Sequence, residues 1–283
     1  MPWALRINYP LIMGILNVTP DSFSDGGRYL DTGAAVEHAR AMLMNGAHII
    51  DMGAESSRPG SEPVPPKEQL RRLLPVLKLF RKKSNAPVSV DTWSADVAEA
   101  CLSEGATTIN DITAVRGDKR MMAVLKKSTC DIVLMHMPGT PKTMQKRAHY
   151  TNVMATLNRF FNERIAACLD AGIDAKRLII DPGVGFGKTA DHNFEIIRHV
   201  GELRVFGLPV LLGLSRKKFL GTLTNEAKPE GRVTASIVAG LYAVNNGADI
   251  LRVHDVKETV ACVVLMNRLQ DRGDVPRKPS RSS

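Results

Sequence analysis

The sequence predicts an α/β chain folded as a single (β/α)8 barrel, a TIM barrel, and three observations carry that expectation. First, short apolar runs recur along the chain, as strands buried on both faces require. HIID ends at Asp51, VSVD at Asp91, TTIND at Asn110–Asp111, IVLMH at His136, LIID at Asp181, VLLGLSRK at Ser215–Lys217 and DILRVH at Arg252–His254. Second, helical stripes separate these runs, giving the order strand, loop, helix throughout. Third, NGAHIID, EGATTIND and NGADILRVH repeat one phrase: a helix-ending glycine, alanine, a strand, a polar tip. Eight such units in 283 residues suit a closed barrel, whose sites lie on loops at the carboxyl ends of its strands. A doubly wound open sheet is the alternative, disfavoured because the polar tips all fall on one side.

Taken in order, a strand at Leu11–Leu16 leads through a polar loop, Asn17–Leu30, to a helix with Val36, Ala39 and Leu43 on one face. Asn45–Gly46 ends it, glycine taking the left-handed position. Strand Ala47–Asp51 and loop Gly53–Pro66 precede a helix with the stripe Leu70, Leu73, Leu74, Leu77 and Phe80. Pro75 within it is expected to kink it or delay its start. Strand Pro87–Asp91 is followed by a helix capped by Ser94, with Val97, Ala98, Cys101 and Leu102 inward. Strand Thr107–Asn110, a short helix near Arg120–Lys127 and strand Asp131–Met135 come next, then a long loop, Met137–Thr151. A long helix bearing Leu157, Phe160, Phe161, Ile165 and Leu169 stops at Gly172. Strand Arg177–Asp181, a helix near His192–Val200 and strand Pro209–Leu212 follow, and the next loop reaches Arg232. A helix to Asn245, strand Asp249–Val253 and a last helix complete the order. Asp255, with Glu258 three residues on, predicts a capping box for that helix.

With 44% hydrophobic residues the chain can build one large core. No apolar run approaches the ~20 residues that span a bilayer. The opening MPWALRINYPLIMGIL is read as leading into a first strand, not as a signal peptide, and a cytoplasmic location is expected. Cys101, Cys130, Cys168 and Cys262 form no CxxC pair, which argues against a zinc site or a disulfide framework. A net charge of +9 suits an anionic small ligand. Dispersed basic residues and 5% aromatics argue against nucleic acid. The expected division is an N-terminal extension over 1–10, the barrel over 11–269 and a basic, disordered tail over 270–283.

The stretch LIIDPGVGFGK places Asp181 at a strand end, with glycines letting backbone and ligand come close. Its GVGFGKT is not a phosphate loop, because three residues rather than four separate Gly183 from Gly187–Lys188. Asp91, Asn110 and Asp181 end three different strands and suit a planar heterocycle rich in N–H donors. Asp51 and Asp111 read instead as turn formers or caps. Opposite stand Arg58, Arg216, Lys217, Arg252 and His254. Alternation in DILRVH puts Arg252 and His254 on one face, a phosphate site expected after the last strands. Asn17 could join them through Mg2+ neutralising a diphosphate. The loops NVTPDSFSDGG, with Phe23, and GAESSRPGSEPVPP read as flaps that close over substrate.

In order along the chain, MGILNVTPDSFSDGG, DMGAESSRPG, SVDT, INDI, LMHM, DPGVGFGK, SRK and RVHDV closely resemble the dihydropteroate synthase family, the sulfonamide-inhibited enzymes of folate synthesis. The resemblance covers roughly residues 11–269. It implies a TIM barrel, usually homodimeric. The implied reaction is a transferase condensation of 6-hydroxymethyl-7,8-dihydropterin diphosphate with 4-aminobenzoate, with Mg2+, yielding 7,8-dihydropteroate and diphosphate. By motif, Asp91, Asn110, Asp181 and Lys217 would hold the pterin above Met135. Asn17, Arg252 and His254 would take the diphosphate and metal. Phe23, Ser57, Arg58, Pro59, Phe186 and Ser215 would form the aminobenzoate site. The family's second loop usually reads ESTRPG, so Ser57 keeps a hydroxyl and loses a methyl. A methyltetrahydrofolate:corrinoid methyltransferase-type enzyme needs neither RVH, SRK nor ESSRPG. A non-catalytic pterin-binding protein needs no intact set of Asn17, Asp91, Lys217 and His254.

Overall fold

Eight parallel strands, β1 (Leu11–Asn17), β2 (Ile49–Gly53), β3 (Val88–Asp91), β4 (Thr108–Asp111), β5 (Asp131–Met135), β6 (Leu178–Asp181), β7 (Leu211–Leu212) and β8 (Ile250–Val253), build the centre of the molecule. The computed structural model describes residues 10–19, 28–56 and 60–270. Phe23, Ser57, Arg58 and Pro59, the residues before Pro10 and the tail beyond Gln270 lie outside the described residues. Strand order is β6-β5-β4-β3-β2-β1-β8-β7, and a bridge between Ile180 and Val210 joins the two ends. Sequence neighbours pair all the way round. A doubly wound sheet would reverse its order at a switch point, so that alternative is excluded.

Helices α1 (Arg28–Met44), α2 (Pro66–Lys83), α3 (Ala95–Ser103), α4 (Met121–Lys127), α5 (Val153–Asp170), α6 (Ala190–Arg198), α7 (Lys218–Thr224), α8 (Val233–Asn245) and α9 (Val256–Leu269) connect and surround the strands. Gly46 ends α1 with φ +99°, as its sequence predicts. Among the described residues no helix is long and apolar enough to cross a membrane.

Several local expectations need correction. Helix α2 starts at Pro66, so Pro75 does not delay its start; it lies inside the helix with its side chain exposed. Ser94 occupies the cap of α3 without a capping bond. The Asp118 carboxylate accepts from Ala95 N (3.1 Å) in its place. Asp255 precedes α9 but caps nothing, because its carboxylate is taken by Arg216. The reciprocal capping box lies at α6, between Thr189 and His192. Of the apolar residues that α5 carries, Leu157 and Phe161 are buried, while Leu169 is exposed on the last turn. The long loop after β7 contains α7, whose seven residues are too short for periodicity to reveal.

Alternation sorts the strand residues into two layers. Ile50, Val88, Val90, Ile109, Ile132, Leu134, Leu178, Ile180 and Leu251 face the helices and join the large outer core. Met13, Ile49, Val133, Ile179, Leu211 and Ile250 fill the barrel interior. Two residues beyond Ile49, Ile179 and Ile250 stand Asp51, Asp181 and Arg252, and two beyond the buried Ser89 and Thr108 stand Asp91 and Asn110, so the apolar plug gives way to polar groups at the carboxyl end. Phe80 of α2 is fully buried in the outer core. Phe80→Ala should therefore cost about 3–5 kcal/mol in urea unfolding. A loss below ~1 kcal/mol would show that α2 closes the gap.

Candidate active site

The strand registers bring the predicted tips together. Asn17 pairs with Gly53, Gly53 with Asp91, and Asp91 with Asn110. Met135 pairs with Asp181 across β5 and β6. One mouth is lined by Asp91, Asn110, Ile112, Met135, Asp181, Val184, Phe186, Gly213, Lys217 and Arg252.

At its floor Arg252 lies between two acids. Its Nε donates to Asp51 Oδ2 (2.6 Å) and its Nη2 to Asp91 Oδ2 (2.9 Å). Asp51 is wholly buried, so the reading of Asp51 as a turn former is corrected. Asn110 Nδ2 also reaches Asp51 Oδ2 (3.4 Å), while Asp51 Oδ1 and Asn110 Oδ1 are buried with no partner among the described residues. Burial pushes the Asp91 carboxyl up to about 7, with Arg252 pulling the other way. Burial also acts to lower Arg252, but Asp51 and Asp91 outweigh it and hold the guanidinium charged. Arg252 is thus bonded to the acids, not set opposite them.

Asp181 is likewise driven by burial to about 6, although Gly183 N donates to its Oδ1 (2.7 Å) and Lys217 and Arg252 lie near. Lys217 Nζ sits over the Phe186 ring, 4.2 Å from its centroid. Met135 packs with Ile112, Met137 and Met144, and Trp93 and Phe186 lie against them, forming an apolar wall beside the acids.

The β7 and β8 loops carry Ser215 and His254, which are not among the residues lining this mouth although Lys217 and Arg252 of the same segments are. His254 N donates to Ser215 Oγ (3.1 Å), and Nδ1 of its ring lies 3.0 Å from the same oxygen. Arg216, expected among the cations of the mouth, makes a bidentate pair with Asp255 (2.6 and 3.1 Å). It has φ +59°, a left-handed conformation that turns Ser215 and Lys217 toward the site.

Two strand tips fall outside the mouth because they stand one residue off the inward positions. Asp111 serves its own turn, accepting from Thr113 N (2.7 Å) and Val115 N (3.1 Å), which agrees with its reading as a turn former. His136 points outward and meets Phe160 edge-on, ring centroids 4.7 Å apart. A signal for Asp51 exists in the sequence: it follows its strand's apolar run as Asp91 and Asp181 follow theirs, whereas Asp111 comes one residue later.

No cluster of three or more His, Cys, Asp or Glu side chains able to hold a metal occurs among the described residues. Asn17, at the exposed end of β1, offers a single amide oxygen. That donor set fits a hard cation that keeps its waters and enters with substrate phosphates, as Mg2+ commonly does.

Asp181 gives the site a pH signature. The ordinary value of 3.8 holds for the unfolded chain, and about 6 for the folded one. The stabilisation from its extra bound proton is full below 3.8 and is lost as pH rises through about 6. Asp181→Asn should flatten that part of the decline when urea unfolding of ligand-free protein is followed from about pH 4 to 8. An unaltered slope would assign the titration to another group.

The profile of the pterin binding enzyme family matches residues 13–254. Dihydropteroate synthase of Escherichia coli strain K12 is 43% identical over 257 residues, covering 91% of this chain and 90% of that protein. The Xanthomonas albilineans dihydropteroate synthase solved with 4-aminobenzoic acid superposes with a TM-score of 0.88 at 44% identity, covering 95% of this chain and 94% of that one. The same organism's enzyme in complex with 7,8-dihydropteroate gives a TM-score of 0.84 at 42% identity, covering 95% of each chain. With these relatives and a polar mouth of matching motifs, the chain belongs to the pterin binding enzyme family, among the dihydropteroate synthases.

Proposed function

We propose that the mouth of this barrel condenses 6-hydroxymethyl-7,8-dihydropterin diphosphate with 4-aminobenzoate, releasing diphosphate and 7,8-dihydropteroate for folate synthesis in the cytoplasm. The observation that carries this reading is one cavity that gathers Asp91, Asn110 and Asp181 with Met135, Lys217 and Arg252, with His254 two residues beyond Arg252. Asp91, Asp181 and the partnerless Asn110 Oδ1 supply acceptors where a pterin presents N–H donors. Met135 gives the ring an apolar floor, and Lys217 supplies the donor for a ring acceptor.

The methylene carbon–oxygen bond breaks with its electron pair leaving on the diphosphate, and the positive charge spreads into the electron-rich ring. The buried carboxylates stabilise that charge. His254, at the end of the last strand, meets the departing anion, and the Arg252 guanidinium adds its positive charge nearby. The neutral arylamine then attacks the carbon through its lone pair and gives up a proton to water or diphosphate. This step demands orientation more than a strong base. Phe186 and Ser215, with Phe23, Ser57, Arg58 and Pro59 from the two flaps, form the aminobenzoate site. Asn17 would help hold Mg2+, which, when bound, shares the charge of the diphosphate.

We propose in addition that the chain forms a homodimer, as the family resemblance implies. Val238 and Tyr242 of α8 and Leu265 and Leu269 of α9 are apolar and exposed, and these neighbouring helices supply its interface.

Incubation with the pterin diphosphate, 4-aminobenzoate and Mg2+ should yield dihydropteroate and diphosphate in equal amounts; absence of both would end this reading. His254→Ala should raise the KM for the pterin diphosphate roughly tenfold or more while leaving the affinity for diphosphate-free pterin intact. An equal loss of both affinities would move His254 to the ring side. Asp181→Asn should weaken both pterin forms alike, and unchanged affinity would remove Asp181 from the pocket.

A further inference from the structure

The lysine of the GVGFGK stretch has no part in the chemistry above, yet it is among the most completely bonded groups of the fold. Lys188 is only 4% exposed. Its Nζ lies 3.0 Å from His136 Nδ1 and donates to the carbonyls of Gly183 (2.9 Å), Phe186 (3.0 Å) and His136 (3.4 Å). Burial and the neighbouring Lys188 and Arg116 charges hold His136 down at about 2, so its ring is neutral and able to accept. Burial pushes the Lys188 amine down to about 7, with Asp181 pulling the other way, and charged or neutral it keeps N–H donors to give. A polar group so far from water is retained only with compensating bonds, and here every acceptor belongs to the loops after β5 and β6.

The loop that Lys188 gathers carries site residues. Gly183, bonded to Lys188 through its carbonyl, donates its own N–H to Asp181 Oδ1 (2.7 Å). Phe186, bonded through its carbonyl, presents its ring to Lys217 Nζ at 4.2 Å. The fit is close: a Cβ on Gly183 would stand 2.0 Å from the His136 carbonyl oxygen, and one on Gly187 2.3 Å from Pro138. We propose that Lys188 is a positioning residue, its buried amine tying the β6 loop to the β5 loop so that Phe186 and the Asp181 carboxylate are set for the two substrates. The kinetic part of this proposal rests on the reaction proposed above; the structural part does not.

Lys188→Met keeps the length and loses the donors. Its expected effect is a roughly tenfold rise in the KM for 4-aminobenzoate, with kcat at saturation within about threefold of the parent. Lys188→Gln, which keeps two N–H donors, should recover part of the loss. Combining Lys188→Met with Phe186→Leu should raise KM by less than the product of the single effects, because one acts through the other. A multiplicative result would overturn the link to Phe186. Hydrogen exchange supplies a readout independent of turnover. In Lys188→Met the amides over 183–188 should lose protection while those of β1, β2 and β8 keep it. Unchanged protection over 183–188 would overturn the positioning role, and so would an equal loss throughout the barrel. If Lys188→Met does not fold, the same measurement on Lys188→Gln decides the matter. An inactive parent protein would count against the proposed reaction, and the exchange result would still judge Lys188.

Discussion

Charge taken out of water must be met by opposite charge, and the mouth of this barrel is arranged around that constraint at Arg252. Its guanidinium binds Asp51 on one side and Asp91 on the other, both with short contacts. One cation between two acids leaves the floor short of positive charge, and Asp181 adds a third buried carboxyl. Burial drives Asp91 up to about 7 and Asp181 up to about 6, against the pull of Arg252 on both and of Lys217 on Asp181. A ligand that brings several N–H donors relieves this shortage, and the partnerless oxygens of Asn110 and Asp51 point the same way. The acid side of the mouth is therefore matched to a group that donates hydrogen bonds.

That charge is concentrated by nothing more than the two-residue period of a strand. Placing Asp91, Asn110, Asp181 and Arg252 inward puts Val90, Ile109, Ile180 and Leu251 outward against the helices. Shifting β3 or β6 by one residue would turn Asp91 or Asp181 toward the apolar layer and aim Val90 or Ile180 at the mouth. The apolar plug of Met13, Ile49, Val133, Ile179, Leu211 and Ile250 fixes the registers below the mouth. Stability and site geometry thus rest on the same pairing.

The barrel and the acid side of the site were legible because both are written in strand runs with polar ends. Asp91, Asn110, Met135 and Asp181 meet as expected. Asp51 was not recognised, since a strand-end aspartate is ordinarily a turn residue and its partner Arg252 stands 201 positions away. Arg216 and Asp255 failed for a related reason: each looked complete locally, as a loop cation and a helix cap, and only the fold brings them together. Lys188 was legible as a misfit to the phosphate-loop spacing, but its acceptors are backbone carbonyls and a histidine 52 residues distant. Residues whose role depends on a partner in another βα unit are hidden in a single sequence, while residues set by local alternation are not.

The two sides of the mouth are built from different material, and this bears on what each can do. The acids stand on strands paired on both edges, where a carboxylate can move little. The other side is carried by a loop, because β7 leaves the sheet after two residues and Gly213 lies inward beside Arg252. Lys217 N then closes a turn on the Leu214 carbonyl with Arg216 in its third position at positive φ. A non-glycine residue held there costs roughly 1–3 kcal/mol. The Asp255 pair, the Ser236 hydroxyl accepting from Arg216 N (2.8 Å) and the Arg232 donor on its carbonyl (3.1 Å) offset that cost. A flat ring that must be distinguished by the direction of its hydrogen bonds is best met by strand ends. The turn that carries Ser215 against His254 and Lys217 against Phe186 keeps its conformation through the Arg216–Asp255 ion pair, so the loop side of the mouth depends on a contact that the strand side does not need.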